Sequence, residues 1–567
     1  MSEISATPKI LVTVEVEDYF QVGSFERLID KEQWYRFDTR IERNVRQALD
    51  LLDQSGVRGT FFVLGWVAAK LPELVREIVA RGHEVASSGY YHRTIRMMGP
   101  SEFRDDLLRS RESLETATGR RVLGHRIPHF LGPKDLWALD VLAEEGYVYD
   151  SSLRPLFRQF AGEPWRRFAH KYGEGSRSLW EFPLSTWSIA GLCLPIAGGN
   201  YFRQFPHALV KRAVSSWHRR YSAPFVMYFH VWELDPNQPR INTGSILTRI
   251  RHYRNLDKMA WILKEYLRDY ETTGIAEHLG ASTSPAAERA PRIEKAPEPI
   301  RVRHAAAGVP VSVVVPCYRE EASLPYLANT LQSLEEDLGA DHPLYFIFVD
   351  DGSPDGTWDA LQKHFGSKPN CRLIRHEKNQ GVAASILTGI RSAETQVVCS
   401  IDCDCTYDPH QLRDMVPLLE EGVDLVTASP YHPKGRVKNV PAWRLSLSRG
   451  ASFLYRRVLK QKLFTYTSCF RVYRRDSFAP LELTEGGFLG VAEMVGRLDR
   501  QGGRIVEYPA VLEVRIFGQS KMKVLNSVLG HLRLLGRLLV MRVFGPPVPP
   551  RPLAVRTARP PDTSPPH

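Results

Sequence analysis

Apolar runs of strand length alternate with segments of helical periodicity along the first part of the chain. Residues 10–16 (ILVTVEV) read as a strand, 44–55 as an amphipathic helix, 59–64 (GTFFVL) as a second strand and 72–81 as a second helix. The alternation continues to 224–230 (PFVMYFH). Such repetition predicts a parallel α/β sheet or barrel. At 280–308 the sequence GASTSPAAERAPRIEKAPEPIRVRHAAAG has no periodicity and predicts an interdomain linker. The pattern resumes at Val311. Apolar runs SVVVP, FIFVDDG, RLIRH and VVCSIDCD are there separated by helical segments, which predicts a Rossmann-like open sheet. Residues 522–545 set Lys523, Arg533, Arg537 and Arg542 among Leu and Val with no acidic residue. This predicts a basic amphipathic helix lying in the plane of a membrane surface, with a helix packed on the domain as the alternative. The expected organisation is therefore a domain at 1–275, a linker at 276–308, a second domain at 309–521, the helix, and a disordered Pro-rich tail at 546–567.

Composition narrows this picture. A chain of 567 residues with 43% hydrophobic content has material for two real cores and is not a disordered protein. Its net charge of +11 points to an anionic partner. No helix-turn-helix or other nucleic-acid motif accompanies that charge, so phosphorylated substrate or phospholipid is expected rather than nucleic acid. The seven cysteines are odd in number and most sit in apolar runs, which predicts reduced thiols and a cytosolic chain. The first residues lack the basic-then-apolar order of a signal peptide, and no run of about 18 apolar residues occurs. The expected location is the cytoplasm, peripheral on the inner face of the cell membrane.

The second half carries four motifs at predicted strand ends. Asp402-Cys403-Asp404 follows the strand VVCSI. Two Asp at i and i+2 share one side of an extended segment, and one or two carboxylates beside phosphates suffice for Mg²⁺ or Mn²⁺. Cys403 and Cys405 then point to the opposite, core-facing side. Asp350-Asp351-Gly352-Ser353 ends another strand, with carboxylates placed for base or ribose groups. Pro316, Tyr318 and Glu320 follow the first strand. Asn379-Gln380-Gly381 opens a helix with small residues that let backbone approach a phosphate or sugar closely.

These segments, VVPCYREE, FVDDGSPDGT, NQGVAASILTGI, DCDCTYDP, SCFRVYRR and RIFGQSK, resemble family-2 glycosyltransferases over about 309–525. The likeness is strongest to the dolichyl-phosphate-mannose synthase and polyprenyl-phosphate glycosyltransferase branch. The resemblance implies a GT-A fold, inverting transfer and a divalent metal at Asp402 and Asp404. It also implies nucleotide-sugar contacts from Pro316, Tyr318, Glu320, Asp350, Asp351 and Gly381. Arg319 stands where the family usually has Asn. A lipid phosphate acceptor is already ionised near neutral pH and needs cationic clamps more than a base. Arg444, Arg449, Arg515, Ser520 and Lys521 are the candidates for that role, and Glu493 is the candidate base if the acceptor is a sugar hydroxyl.

The first half resembles NodB-like polysaccharide deacetylases of the exopolysaccharide-export type. VEVEDYFQV, GTFFVLGWVA, GHEVASSGYYHR, HRIPHF, AGGNYFR and FHVWELDPNQPR carry the likeness. It implies a distorted (β/α) barrel and metal-assisted removal of N-acetyl groups. That chemistry needs a Zn²⁺ or similar ion on one Asp and two His, with an open place for water. Asp18 and His92 match the metal ligands, Arg126 the Arg-x-Pro motif and His230 the acid. Glu15 stands where the family has its Asp base, and Ser88 where it has the first His ligand. His125 and His129 are candidates for a substitute ligand. The two departures predict weak or absent metal and a degenerate deacetylase.

The whole reads as a metal-dependent glycosyltransferase, using a nucleotide-sugar donor and a lipid-phosphate or glycan acceptor in bacterial surface-glycan assembly, fused to an altered deacetylase. The alternatives are a bifunctional enzyme acting on a polysaccharide hydroxyl, and a non-catalytic glycan-binding scaffold.

Overall fold

The computed structural model describes residues 9–281, 308–518 and 524–544, apart from positions 158, 161, 176, 243, 244, 340 and 441. The chain divides into two compact units, Met1–Ile300 and Arg301–His567. Most of the expected linker, the tail, and the positions of Ser520 and Lys521 lie outside the described residues.

The first unit is built on β1 (Ile10–Val16), β2 (Thr60–Val63), β3 (Glu84–Ser87), β4 (Gly124–His125), β5 (Tyr149–Asp150), β6 (His170–Glu174), β7 (Arg177–Glu181), β8 (Thr186–Ile189), β9 (Leu192–Pro195), β10 (Phe225–His230) and β11 (Thr272–Thr273). Its main sheet runs β10-β1-β2-β3-β4-β5-β7-β6, with β11 on β1. All pairings are parallel except β6 with β7. Beyond β7, the Val226 N–H of β10 donates to Ser185 Oγ at 2.9 Å, which draws the two ends of the curled sheet together. The strands are short and buried. Every residue of β1 is buried, so its apolar run is interrupted only by Thr13 and Glu15, which share one face.

That polar face is held by one guanidinium. Arg126 is 1% exposed. It donates to Ser151 O (2.9 Å), Ser151 Oγ (2.7 Å), Thr13 Oγ1 (2.8 Å) and Glu15 Oε1 (2.9 Å). A second buried pair joins Arg203 to Glu233 at 2.7 Å, both side chains fully out of solvent. Burial works against the charge on Glu233, but Arg203 and His230 outweigh it and hold its pKa at about 2. Among helices, Pro100–Thr118 starts on Gly99, whose N–H donates to Glu102, and ends on left-handed Gly119.

The second unit contains β12 (Val311–Cys317), β13 (Leu344–Asp350), β14 (Cys371–Arg375), β15 (Val397–Ser400), β16 (Leu425–Ser429), β17 (Arg436–Val437), β18 (Arg471–Arg474), β19 (Ile505–Pro509) and β20 (Val511–Leu512). The sheet order is β14-β13-β12-β15-β18-β16-β19. Only β18 runs antiparallel to its neighbours. Strand order reverses at β12, between β13 and β15, which opens a crevice at their carboxyl ends. Helices Val382–Ser392, Ala442–Val458, Phe488–Arg500 and Val524–Phe544 share a core that includes Val314, Ile386, Tyr455, Met494, Leu534 and Leu538. The helix Val524–Phe544 therefore packs on the unit through one face, while Leu529, Leu532, Leu539 and Val540 on the other remain exposed. No helix among the described residues is long and apolar enough to cross a membrane.

The Arg203–Glu233 pair gives a stability test. Glu233→Gln leaves a buried guanidinium without its counter-charge and should destabilise the first unit by about 3–5 kcal/mol near neutral pH. Because the folded pKa lies below the ordinary 4.5, this contribution is present above that value and lost as pH falls toward about 2. Urea unfolding of both proteins should show the difference at neutral pH and its convergence in acid.

Candidate active sites

In the second unit three strand ends converge. β12 delivers half-buried Pro316 and Tyr318, then Glu320, whose N–H donates to Thr357 Oγ1 at 2.9 Å. β13 ends at Asp350, which is fully buried. Its Oδ1 accepts from Ser353 N–H at 3.2 Å. Its Oδ2 lies 3.0 Å from Arg375 Nε, yet it makes no hydrogen bond, so the angle and not the distance decides. β15 leads to Asp402 and Asp404. Burial, reinforced by Asp404, pushes the Asp402 carboxyl up to about 7. Asp404 Oδ1 accepts from Thr406 N–H (3.1 Å) and its Oδ2 from Arg515 Nε. Arg515 also donates through Nη2 to Glu320 Oε1 at 3.0 Å. Cys403 points the other way, with Sγ 3.7 Å from Cys317 Sγ in the core.

Two expected site carboxylates are engaged elsewhere. Asp351 accepts from His376 Nδ1 (2.8 Å), Gln380 N–H (2.8 Å) and Gly381 N–H (2.7 Å). It shapes the turn before the helix Val382–Ser392 and does not face the crevice as a nucleotide ligand. Gly381 sits at φ 98°, and a Cβ there would come within 2.5 Å of Gly486 backbone, so its small size serves that packing. Glu493 is not placed as a free base. Its carboxylate accepts from Thr484 N–H (3.0 Å), Thr484 Oγ1 (2.8 Å), Glu485 N–H (2.9 Å) and Arg497 (2.6 Å). Burial opposes its charge, but Arg497 and these donors keep its pKa below the usual range. Arg449 is exposed and lies 5.3 Å from the centre of the Tyr431 ring. Arg444 belongs to the helix Ala442–Val458, and its side chain lies outside the described residues.

In the first unit the site forms where β1, the 88–92 loop and β10 meet. Glu17, not Asp18, faces His92, with Nε2 to Oε2 at 2.7 Å. His230 Nε2 is 3.4 Å from the other Glu17 oxygen. Trp232 Nε1 also donates to Glu17, at 3.2 Å. Burial would raise the Glu17 pKa, but the two imidazoles outweigh it and bring it to about 2. Asp18 instead accepts from Tyr19 N–H, Thr39 Oγ1 and Arg40 N–H, which makes it the organiser of a turn. Its burial raises its pKa to about 6. Asp18 is thus occupied by turn donors, while Glu17, just past the end of β1, is the carboxylate that meets His92. Ser88 Oγ reaches Glu15 Oε2 at 3.4 Å. His125 is fully buried beside Asp150 (3.3 Å), in the core and not in the site. His129 packs on His92 with ring centres 5.3 Å apart and pairs with Glu26 at 3.4 Å.

Comparison with known proteins decides the family. Residues 312–481 match Glycosyl transferase family 2, residues 27–149 match Polysaccharide deacetylase, and residues 151–279 match a domain of unknown function, DUF3473. The undecaprenyl-phosphate mannosyltransferase of Micrococcus luteus is 30% identical over 220 residues, which are 37% of this chain and 87% of that protein. This chain belongs to glycosyl transferase family 2. The dolichol-phosphate mannosyltransferase of Pyrococcus furiosus is 28% identical over 231 residues, 40% of this chain and 63% of that one, so the chain spans just under two thirds of its length. A solved glucosyl-3-phosphoglycerate synthase from Mycobacterium tuberculosis aligns at 20% identity over 41% of this chain and 80% of its own, with a TM-score of 0.32. The glycosyltransferase unit is thus preceded by a deacetylase-type unit in one chain.

The two units differ in how well they suit a metal. In the glycosyltransferase unit, Asp402 and Asp404 are hard oxygen donors, and burial together with repulsion from Asp404 lifts the pKa of Asp402, a cost that a divalent cation would relieve. They fit Mg²⁺ or Mn²⁺. The deacetylase-type unit does not fit a three-ligand zinc site. Glu17 and His92 answer each other directly, and a serine hydroxyl stands at 88. Metal analysis of the purified protein should find zinc well below one per chain. Ser88→His should raise zinc affinity about 10-fold or more by supplying an imidazole next to His92. One tightly held zinc in the unaltered protein would show that another ligand set is in use.

Proposed function

We propose that the second unit transfers a sugar from a nucleotide donor to a polyprenyl-phosphate-type acceptor, with inversion and with Mg²⁺ or Mn²⁺. The cluster of Asp402, Asp404 and Glu320 around Arg515 carries this reading, together with the buried Asp350 Oδ2, which pairs with Arg375 but accepts no hydrogen bond. Asp350 Oδ2 suits an N–H donor of a nucleobase. Asp402 and Asp404 would hold the cation, which supplies charge for the departing diphosphate. An acceptor phosphate oxygen attacks the anomeric carbon, the bond from that carbon to the donor diphosphate breaks, and a nucleoside diphosphate leaves. No general base is required of Glu493, whose oxygens already accept from four protein donors or more. That engagement favours a phosphate acceptor over a sugar hydroxyl.

Membrane docking on the cytoplasmic face belongs to the same proposal. The helices Ala442–Val458 and Val524–Phe544 contain arginines and no acidic residue. Exposed Phe453 and Leu454 on the first, and Leu529, Leu532 and Arg533 on the second, suit an anionic lipid surface. The first unit, in this reading, keeps a deacetylase scaffold for glycan contact with little or no hydrolysis, within cell-surface glycan assembly.

The test is transfer by the full chain with Mn²⁺, a panel of nucleotide sugars and a polyprenyl phosphate. Sugar should appear on the lipid phosphate only with metal, and Asp404→Ala should lower the rate on the order of 10²-fold or more. No turnover and no nucleotide-sugar binding with any donor would defeat the proposal and favour a glycan-binding scaffold.

A further inference from the structure

Arg515 stands on a segment held at both ends. Upstream, β20 bridges Tyr407 through Leu512, and Glu513 N–H donates to Thr406 O at 2.9 Å. These partners directly follow the Asp402–Asp404 motif. Downstream, buried Phe517 packs edge-on against Tyr326 with ring centres 5.7 Å apart. Gly518 turns at φ 72°, and a Cβ there would lie 3.4 Å from Arg515 Nη1. The guanidinium is thereby delivered between two carboxylates from different strand ends, Asp404 after β15 and Glu320 after β12. Its own charge is reinforced: burial would lower the Arg515 pKa, but Asp404 and Glu320 raise it. Asp404 has both oxygens committed, one to Thr406 N–H and one to Arg515.

A guanidinium and a divalent cation on one carboxylate repel each other. We infer that Arg515 is an internal cation competing with the divalent metal for Asp404, and that its displacement on metal–donor binding frees the guanidinium for the acceptor phosphate. This rests on the proposed metal-dependent transfer and adds an order to it: donor with metal first, acceptor second. One side chain would then report the loading of the donor site to the acceptor site, because Asp404 cannot be held fully by both cations.

The test is Mn²⁺ titration of the full chain without nucleotide, followed through the electron paramagnetic resonance of free Mn²⁺. Arg515→Gln should bind Mn²⁺ about 10-fold more tightly than the unaltered protein at low ionic strength. Arg515→Lys, which keeps the positive charge, should stay near the unaltered value. Asp404→Ala should bind weakly. Thermal unfolding of each variant checks that it is folded. Equal or weaker Mn²⁺ binding by Arg515→Gln would overturn the competition, as would a tenfold gain in Arg515→Lys, which would trace the effect to packing. Binding that is unchanged in Asp404→Ala would overturn the metal site itself and the inference with it.

Discussion

A carboxylate buried at the end of a parallel strand must meet a cation or take up a proton, because neither water nor a low-dielectric core can hold its charge unaided. Both units are organised by that demand. In the deacetylase-type unit Glu15 meets Arg126, Glu17 meets His92 and His230, and Glu233 meets Arg203. In the glycosyltransferase unit Asp404 and Glu320 share Arg515, while Asp402 is left to rise to about 7. The difference is in what remains unanswered. In the first unit Glu15, Glu17 and Glu233 each have a cationic partner, while burial raises the pKa of Asp18. The second unit keeps three carboxylates around one guanidinium, an excess of negative charge in a crevice where strand order reverses.

The fold was legible because the central strands of both sheets, such as β1, β2, β12 and β13, write themselves as short, largely buried apolar runs, the pattern of parallel packing with both faces covered. The strand-end motifs around Asp350 and Asp402 were legible for the same reason, since strand ends are where such sheets present side chains. Other carboxylates misled. Asp351 and Glu493 bond to main-chain N–H groups of the turns at 380–381 and 484–485, partners that no residue type announces. Glu17 and Asp18 lie just past the end of β1, where the turn set by Thr39 and Arg40 decides which carboxylate meets His92. The Arg515–Asp404 contact joins positions 111 residues apart, and only the pairing of β20 with the 406–407 segment brings them together.

The pairing in the first unit also bears on the proposal that this site has weakened metal chemistry on an intact fold. A zinc ion in such a barrel neutralises a carboxylate and orients two imidazoles. Here Glu17 is neutralised by His92 and His230 directly, and Trp232 adds a hydrogen bond. The load-carrying contacts lie elsewhere, in Arg126 spanning β1 and the 151 turn, and in Arg203 spanning the helix Gly199–Gln204 and Glu233. Residue 88 touches only the edge of the first network, through Ser88 Oγ to Glu15 Oε2 at 3.4 Å. On the proposed reading, a serine in place of a histidine ligand at that position would weaken the metal site while Glu15, Glu17 and Glu233 keep their partners and the scaffold persists.

The same reasoning runs in the opposite direction for the second unit. There the chain leaves charge unbalanced, and folded proteins tolerate such imbalance where a ligand resolves it. Asp350 Oδ2 has the charge of Arg375 beside it but accepts no hydrogen bond, and Asp402 is charged only against burial and the repulsion of Asp404. A nucleotide diphosphate alone would worsen the repulsion. A nucleotide diphosphate carrying a divalent cation resolves both deficits, with a nucleobase N–H for Asp350 and positive charge for the Asp402–Asp404 pair. On the proposed reading donor and metal act as a single ligand, and the guanidinium that they would displace from Asp404 is placed to receive the next anion.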